Sequence, residues 1–339
     1  MTSDAIIYQL AEQIDQLCAL DLRPPGPTGG YIGHFYKAVR QQTDLPLCLT
    51  AAQCLQRVQP GSTVLIATGF CHPERLPQGE TDGPPGAAAL AQAVRHGLQA
   101  TPWVLGEAEI EAPMIACCQS LGLSVQPNFT PEANQSQAAD VVFQRFPTDA
   151  AMAHEAAASL ITQLQPAVIV VTEKVGPNHL GVAHSAMGVA IPDGARAPIE
   201  FLLDAAHAVN IPTIGVGDNG NDIGFGIIED VVRRYKPYAD VCQCPCGGGL
   251  ATVTKTAHLV TAAVANWGAY GIVACLAAIL GKPQLLHSAQ QELDLINACV
   301  QAGAADGITG RFEATVDGLP ANVHRSIVEL LNALITKVT

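Results

Sequence analysis

The chain has 339 residues, of which 49% are hydrophobic and 14% are charged, so it can bury a sizeable core. Its formal net charge is −13, and its isoelectric point is about 5.1. This acidic balance argues against a nucleic-acid partner and against an anionic membrane surface, whereas a small-molecule substrate remains possible.

The cysteines and the first residues bear on the compartment. Eleven cysteines are scattered through apolar surroundings, unlike the dense spacing of a disulfide-stapled small domain. Buried thiols of this kind are typical of a reducing environment. The start, MTSDAIIYQLAEQID, lacks the basic region and apolar core of a secretory signal. We therefore expect a cytoplasmic protein.

In chain order, residues 1–45 are predicted to form two amphipathic helices, joined by the turn LRPPGPTGG and packed on the edge of a sheet. Residues 46–339 are predicted to form an α/β domain. Short apolar runs predict strands at 63–67, 103–105, 123–126, 167–172, 213–216, 241–244 and 258–264. Helical periodicity predicts helices near 86–97, 111–121, 150–164, 198–209, 227–235, 267–281, 286–303 and 321–335.

The predicted strands are short and continuously apolar, as in a parallel sheet covered on both faces. Their alternation with helices predicts an α/β fold, with a Rossmann-like, doubly wound, mainly parallel sheet flanked by helices. Residues 256–281 carry no charge and are long enough to span a bilayer. Because this stretch contains His258 and Asn266 and has no second counterpart, we favour a buried strand followed by a buried helix, with no membrane partner.

Polar loops are predicted to follow several strands. In open α/β sheets, ligands bind beyond the carboxyl ends of the strands. Four such loops lie at 68–86, 172–185, 215–226 and the turn 266–268. We expect them to converge on one site.

The third of these loops reads GVGDNGNDIGFG and allows three interpretations. Its first glycines fit the dinucleotide fingerprint G-x-G-x-x-G, but Gly224 and Gly226 interrupt the helix that this fingerprint needs. Asp218, Asn221 and Asp222 fit the metal-holding G-D-x-x-N-D loop of haloacid-dehalogenase-type phosphatases, although no D-x-D nucleophile occurs in the chain. The third interpretation is a turn whose acids cap the following helix.

The first loop contains the stretch ETDGPPG, in which Glu80 and Asp82 precede a rigid Pro-Pro turn and a predicted helix. Such acids can simply complement a helix dipole and its exposed N–H groups. Alternatively, one carboxylate works as general base or acid beside the other, with pKa values split by proximity.

The second loop begins with Glu173 and Lys174 at the predicted end of a strand. Lys174 could hold a substrate carboxylate, or it could form a surface ion pair with Glu173. The histidines of this loop, His179 and His184, are expected to be solvated rather than to act as ligands.

Three cysteines, Cys242, Cys244 and Cys246, form the stretch CQCPC. Their spacing matches neither the C-x₂-C of zinc sites nor the usual iron–sulfur runs. The spacing therefore favours buried or incidental thiols over a metal site.

Taken together, these stretches resemble the D-glutamate cyclases, a family that includes bacterial proteins. The resemblance covers roughly residues 62–330, in family order: TGF at 68–70, ETDGPPGA at 80–87, GVGD at 215–218 with GND at 220–222, NWGAY at 266–270 and VDGLP at 316–320. Asn219 stands where the family pattern has glycine, Lys174 where it has arginine and Ala265 where it has serine. An ammonium does not reproduce the bidentate grip of a guanidinium on a carboxylate.

The resemblance implies a hydro-lyase that dehydrates D-glutamate, or a related amino acid, to 5-oxo-D-proline without a required cofactor. The expected catalytic residues are Glu80, Asp82 and Lys174. The residues expected to bind the substrate are Thr68, Gly69, Asn178, Gly217, Asp218, Asn221 and Asn266.

Several alternatives stay open. Asp218 would receive the substrate ammonium directly, or it would join Asp222 in holding a Mg²⁺ or Mn²⁺ ion. The competing functions are an amino-acid sensor without turnover and a metal-dependent phosphatase-like hydrolase. Assembly into a homo-oligomer is open as well.

Overall fold

The structure, a computed structural model, describes residues 3–128 and 139–337. At its centre is a seven-stranded parallel sheet with the strand order β3-β4-β2-β1-β5-β6-β7. The strands are β1 (Thr63–Thr68), β2 (Thr101–Gly106), β3 (Val125–Pro127), β4 (Val141–Arg145), β5 (Val168–Thr172), β6 (Thr213–Gly217) and β7 (His258–Thr261). A short antiparallel ribbon follows, formed by β8 (Thr315–Val316) and β9 (Leu319–Pro320).

Helices flank the sheet and confirm the predicted α/β fold. Within the described residues they are α1 (Ser3–Cys18), α2 (Ile32–Arg40), α3 (Leu47–Gln56), α4 (Pro84–Gln92), α5 (Glu111–Ser120), α6 (Ala150–Leu164), α7 (Glu200–Ala208), α8 (Glu229–Tyr235), α9 (Ala265–Leu280), α10 (Ala289–Gln301) and α11 (Ala321–Ile335).

Alternating side chains of β1 show how the two faces are covered. Val64 and Ile66 belong to the larger apolar core, which also contains most of α9. Leu65 and Ala67 point to the opposite face and pack in a smaller core with α6 and α7. Both faces of the sheet are therefore buried, which explains why its strands are continuously apolar.

The order in which strands are added to the sheet changes side at β1, and this change fixes the position of a crevice. β2 pairs with one side of β1, and β5 pairs with the other side. Such a reversal opens a crevice beyond the carboxyl ends of the two strands. Thr68 and Thr172, the last residues of β1 and β5, are partners in the register. The loops that follow them therefore start side by side.

The uncharged stretch 256–281 forms β7 followed by α9, as favoured above. Residues Ala265 to Ala278 of α9 are all buried, which is the expected position of a helix that is apolar all round. Within the described part of the chain, no helix has the length and apolar character needed to cross a membrane.

The prediction of elements needs three corrections. Helix α3 and strand β4 were not predicted: α3 buries most of its surface and lacks the polar face that marks an amphipathic helix, and β4 is a run of five residues. The strand predicted at 241–244 is wrong, because these residues are bent and irregular and Val241 is 63% exposed. There the three cysteines gather around His184.

The N-terminal helices belong to the same packed body as the sheet. Ile14 of α1 and Phe35 of α2 are fully buried in the larger core. The division of the chain near residue 45 stays a prediction.

Candidate active site

A cavity of about 510 Å³ lies at the crevice and draws its lining from the loops after β1, β5 and β6, together with residues near 307 and 317. Three of the four polar loops therefore converge on it as expected. The fourth, at the start of α9, lies directly behind the first loop, where it is held by hydrogen bonds.

Asp82 and Asn266 tie these two segments together by capping each other's helices. The Asp82 carboxylate accepts hydrogen bonds from the backbone N–H groups of Ala265 and Asn266, both at 2.8 Å. In return, Asn266 Oδ1 accepts from the N–H groups of Gly83 at 3.0 Å and Gly86 at 2.8 Å, at the start of α4. Asp82 thus complements a helix N-terminus, but the helix is α9 rather than the one that follows it in sequence.

Six buried carboxyl groups, which we call the acid cluster, lie at the cavity and behind its wall: Glu80, Asp82, Glu173, Asp218, Asp222 and Asp317. Oxygens of Asp82, Asp218 and Asp317 lie within 4.8 Å of one another. The same holds for Glu173, Asp218 and Asp222. Asp218 belongs to both groups and is therefore the centre of the cluster.

Burial raises the pKa values in this cluster, because water no longer stabilises the charged carboxylates. Neighbouring acids add to the effect. The pKa of Asp82 is raised to about 7 by burial and then by Asp218, and the pKa of Asp222 is raised to about 8 by the same two causes. Burial followed by Asp82 raises the pKa of Glu80 well above its ordinary value. Burial followed by Asp222 does the same for Glu173. These raised pKa values favour the protonated form of several of the carboxyl groups near neutral pH.

Arg23 supplies a buried cation to the cluster. One guanidinium nitrogen donates to Asp218 Oδ2 at 3.0 Å and to Asp317 Oδ2 at 2.9 Å. A second nitrogen donates to the carbonyl of Ala263. Tyr31 lies in the same region, and its hydroxyl donates to Asn219 Oδ1 at 2.6 Å. The N-terminal segment therefore takes part in the site and does not only pack on the sheet.

The loop after β6 is held by one of its own acids. Asp222 Oδ2 accepts hydrogen bonds from the backbone N–H groups of Asp218 and Asn219, both at 3.1 Å. Gly217 is needed at this point, since a Cβ atom there would lie 2.6 Å from the Cβ of Asp222. No helix starts at Gly220: the loop runs on to a short 3₁₀ helix at Gly226–Ile228 and then to α8 at Glu229, and neither helix has a side-chain cap. The dinucleotide and helix-capping interpretations therefore both lose their structural basis.

Among the residues predicted for the site, Glu80 and Asn221 line the cavity. Glu80 is 5% exposed and its Oε1 has no hydrogen-bond partner, and Asn221 Oδ1 is likewise without one. The other predicted residues are not part of the lining. They are Thr68, Gly69, Asp82, Lys174, Asn178, Gly217, Asp218, Asp222 and Asn266.

Lys174 is buried and already paired. It is 1% exposed, donates to the carbonyl of Gly69 at 2.7 Å and forms an ion pair with Glu107. The surface ion pair with Glu173 is therefore wrong, since the partner is a different and fully buried glutamate. The predicted catalytic role of Lys174 stays a prediction.

Asn178 organises its own loop. Its Oδ1 accepts from the backbone N–H groups of Leu180 at 2.9 Å and Val182 at 3.0 Å, and its Nδ2 donates to the carbonyl of Gly249 at 2.8 Å. All these bonds are internal to the protein, and Asn178 does not line the cavity.

Four residues of the site were not predicted as such: Arg23, Arg75, Glu173 and Asp317. Glu173 and Asp317 line the cavity, as does Arg75. The sequence does point to the two arginines as site candidates, because the chain has only 17 Lys and Arg residues and both arginines lie in Pro-rich loops. Glu173 has a positive φ of 45°, an unusual backbone conformation for this residue type.

Sequence comparisons agree with the motifs that form this site. A family profile described as "D-glutamate cyclase-like, C-terminal" matches residues 36–332. The chain belongs to this family. It is also 27% identical over 302 residues to the Homo sapiens protein named "D-glutamate cyclase, mitochondrial", a match that covers 79% of this chain and 45% of the human protein. The chain thus spans less than half the length of that relative.

The D-glutamate cyclase-like family match includes Glu80, Glu173, Asp218 and Asp317 but begins after Arg23. The guanidinium that bridges Asp218 and Asp317 therefore comes from outside the matched region. The family match therefore assigns no role to Arg23.

Proposed function

We propose that this protein is a hydro-lyase that converts D-glutamate, or a close relative, to 5-oxo-D-proline and water. The observation that carries the proposal is a pair of buried glutamates at the cavity. Glu80 and Glu173 both line it, and each has one carboxyl oxygen without a hydrogen-bond partner. Two carboxyl groups with raised pKa values at a substrate-sized cavity are suited to proton transfer.

The proposed reaction needs such a pair. The substrate amine attacks the γ-carboxyl carbon, a C–N bond forms, and a C–O bond breaks. The ammonium group loses two protons in total, and both leave in the water molecule. A carboxylate takes the first proton as general base, and a carboxylic acid protonates the departing oxygen. The reaction therefore moves protons from nitrogen to oxygen with no net gain or loss, and it needs no nucleotide.

Glu80 is the candidate general base and Glu173 the candidate general acid. Positioned proton transfer contributes roughly 10²–10⁴ in rate. Because the reaction is intramolecular, a cavity that holds the substrate in its curled form adds to this contribution. We propose that Asp82 helps to raise the pKa values of Glu80 and Glu173 and fixes the position of the loop that carries Glu80.

The charges of the substrate suggest its orientation. Its ammonium would lie towards the acid cluster, which has more carboxyl groups than paired cations. A carboxylate would lie towards Arg75, which is exposed at the cavity and donates to the carbonyl of Ile308 at 3.3 Å. A guanidinium binds a carboxylate with two parallel hydrogen bonds.

A divalent ion is the alternative to direct ammonium binding. Glu173, Asp218 and Asp222 offer oxygens within 4.8 Å of one another, and one oxygen each of Glu173 and Asp222 has no partner. Oxygen ligands of this kind suit Mg²⁺. In that case the ion would neutralise the acids and could activate the γ-carboxyl group.

The decisive experiment is incubation of the protein with D-glutamate or L-glutamate, without ATP, followed by proton NMR for 5-oxoproline. We expect product from D-glutamate and little from L-glutamate. Binding of D-glutamate with no product over hours would instead identify an amino-acid sensor. Repeating the reaction with added Mg²⁺ or Mn²⁺ tests the divalent ion.

A further inference from the structure

A second cluster of reactive side chains lies away from the acid cluster. The sulfurs of Cys242, Cys244 and Cys246 are 3.3–3.4 Å from one another. His184 Nε2 is 3.3 Å from the sulfur of Cys244 and 3.5 Å from that of Cys246. The four ligand atoms lie within 4.8 Å of each other.

We propose that His184, Cys242, Cys244 and Cys246 bind a structural zinc ion. Zinc bonds to sulfur at about 2.3 Å and to imidazole nitrogen at about 2.0–2.1 Å, so a tetrahedral site separates its sulfurs by about 3.8 Å and a sulfur from the nitrogen by about 3.5 Å. The sulfur–sulfur distances of 3.3–3.4 Å are within about half an ångström of the first value, and the nitrogen–sulfur distances of 3.3 and 3.5 Å are close to the second. Three thiolates and one imidazole are a common ligand set for structural zinc.

Other uses of three adjacent thiols fit the geometry less well. A disulfide requires two sulfurs at about 2.05 Å, and none of the three pairs is that close. An iron–sulfur cluster occupies the space between its ligands and holds their sulfurs much farther apart than a single ion does. A single tetrahedral ion fits the three sulfur–sulfur distances and the two distances from His184 Nε2 better than either alternative does.

The histidine supports an ion more strongly than the thiols do. His184 is fully buried, at 0% exposed, and lies about sixty residues before the cysteines. Folding brings its Nε2 to the sulfurs from a different loop. A set of thiols that was merely incidental would not require this convergence.

Hydrogen-bond donors around the sulfurs fit negatively charged thiolates. The backbone N–H of Gly248 donates to Cys246 Sγ at 3.4 Å, and Asn178 Nδ2 approaches the same sulfur at 3.7 Å. Such outer contacts orient thiolate ligands and stabilise their charge. They also give Asn178, which does not line the cavity, a role beside the metal.

The site is closed, so the ion would have a structural role. Four protein ligands leave no open position for water or substrate. The carbonyl of His184 accepts a hydrogen bond from Asn221 Nδ2 at 2.9 Å, and the next residues, Ser185 and Ala186, line the cavity. By joining two loops, the ion would hold one side of the cavity in place. This inference does not depend on which reaction the cavity supports.

The test is metal analysis of the full chain, purified under reducing conditions without chelator. We expect about one zinc per chain by inductively coupled plasma mass spectrometry. The variants Cys244→Ser and Cys246→Ser should lose most of this zinc. The matched control Cys54→Ser changes a cysteine of α3 that is remote from the site and should keep it.

A second measurement covers the case in which the variants fold poorly. Wild-type protein is stripped with a chelator, reduced and refilled with Co²⁺, and its visible spectrum should show the intense bands of tetrahedral cobalt with thiolate ligands. Refilling with Zn²⁺ should restore the thermal midpoint lost on stripping. Zinc well below one per chain together with no cobalt spectrum would overturn the proposal. So would unchanged zinc in both variants, iron or copper in place of zinc, or a disulfide among the three cysteines.

Discussion

At the scale of single residues, Glu80 and Asp82 have different surroundings although they lie two positions apart. Glu80 faces the cavity with an unpartnered oxygen, whereas Asp82 is bonded to backbone N–H groups at the start of α9. The two acids are therefore separable by experiment.

Glu80→Gln should lower kcat by roughly 10² or more, because it removes proton transfer, and it should not lower stability. Asp82→Asn turns one acceptor into a donor that faces a backbone N–H, and we expect a loss of about 1–3 kcal/mol in stability. Turnover assays and urea denaturation of both variants measure these effects. Wild-type kcat in Glu80→Gln would exclude Glu80 as the base.

Lys174 and Arg75 form a second pair that separates stability from binding. Lys174→Ala leaves Glu107 buried without its cation, which should cost about 3–5 kcal/mol of stability. Arg75→Ala changes an exposed side chain, so stability should stay within about 0.5 kcal/mol, while KM for the substrate should rise by roughly tenfold or more as a charged hydrogen bond is lost. A raised KM in a stably folded Lys174→Ala protein, with Arg75→Ala unaffected, would reverse these roles.

At the scale of elements, the site depends on two helices that cap each other. The motifs ETDGPPG and NWG are separated by about 180 residues. Each supplies the side chain that caps the helix of the other: Asp82 caps α9, and Asn266 caps α4. Asn266 Oδ1 satisfies two backbone N–H groups at the start of α4, a helix whose first residues are fully buried.

Asn266→Ala should destabilise the protein by about 1–3 kcal/mol for each buried N–H left without a partner. A control is Ser288→Ala, which removes the exposed N-cap of α10 and should cost about 0.5–2 kcal/mol. Denaturant unfolding of both variants gives the comparison. An equal or smaller loss in Asn266→Ala would show that water or rearrangement replaces the cross-capping bonds.

Elements were easier to predict from the sequence than contacts between them. Apolar periodicity located most strands and helices and the parallel sheet, since that signal is local. Periodicity missed α3, which lacks a polar face, and it gave a false strand at 241–244. It could not show that Arg23 reaches Asp218, that Lys174 pairs with Glu107, or that His184 meets three cysteines, because each contact joins distant segments.

At the scale of the whole molecule, the buried acids should make stability depend on pH. The ordinary pKa of Asp222 is 3.8, and its value in the folded protein is about 8. Between these values the folded protein keeps a proton that the unfolded chain has released. Stability therefore falls as pH rises across this window and stops falling above about pH 8. Glu80, Glu173 and Asp82 shift in the same direction.

Asp222→Asn stays neutral at every pH, so it should gain on the wild type by up to about 1.4 kcal/mol per pH unit as pH rises from 5 to 8. Urea denaturation of the two proteins without added divalent ions measures this difference. A constant difference across the range would contradict the raised pKa. If added Mg²⁺ restores wild-type stability at pH 8 but not that of the variant, the ion binds at the acid cluster.

Arg23 and Asp317 are 294 residues apart in sequence, yet their side chains are bonded at 2.9 Å. A ribosome adds about 5–20 residues per second, so roughly 15 to 60 s separate the synthesis of these two residues. During that interval the growing chain can bring Arg23 to Asp218, but the third member of the bridge does not yet exist. A nascent chain therefore cannot hold the finished arrangement of charges, and it acquires its chemistry only after translation has passed Asp317.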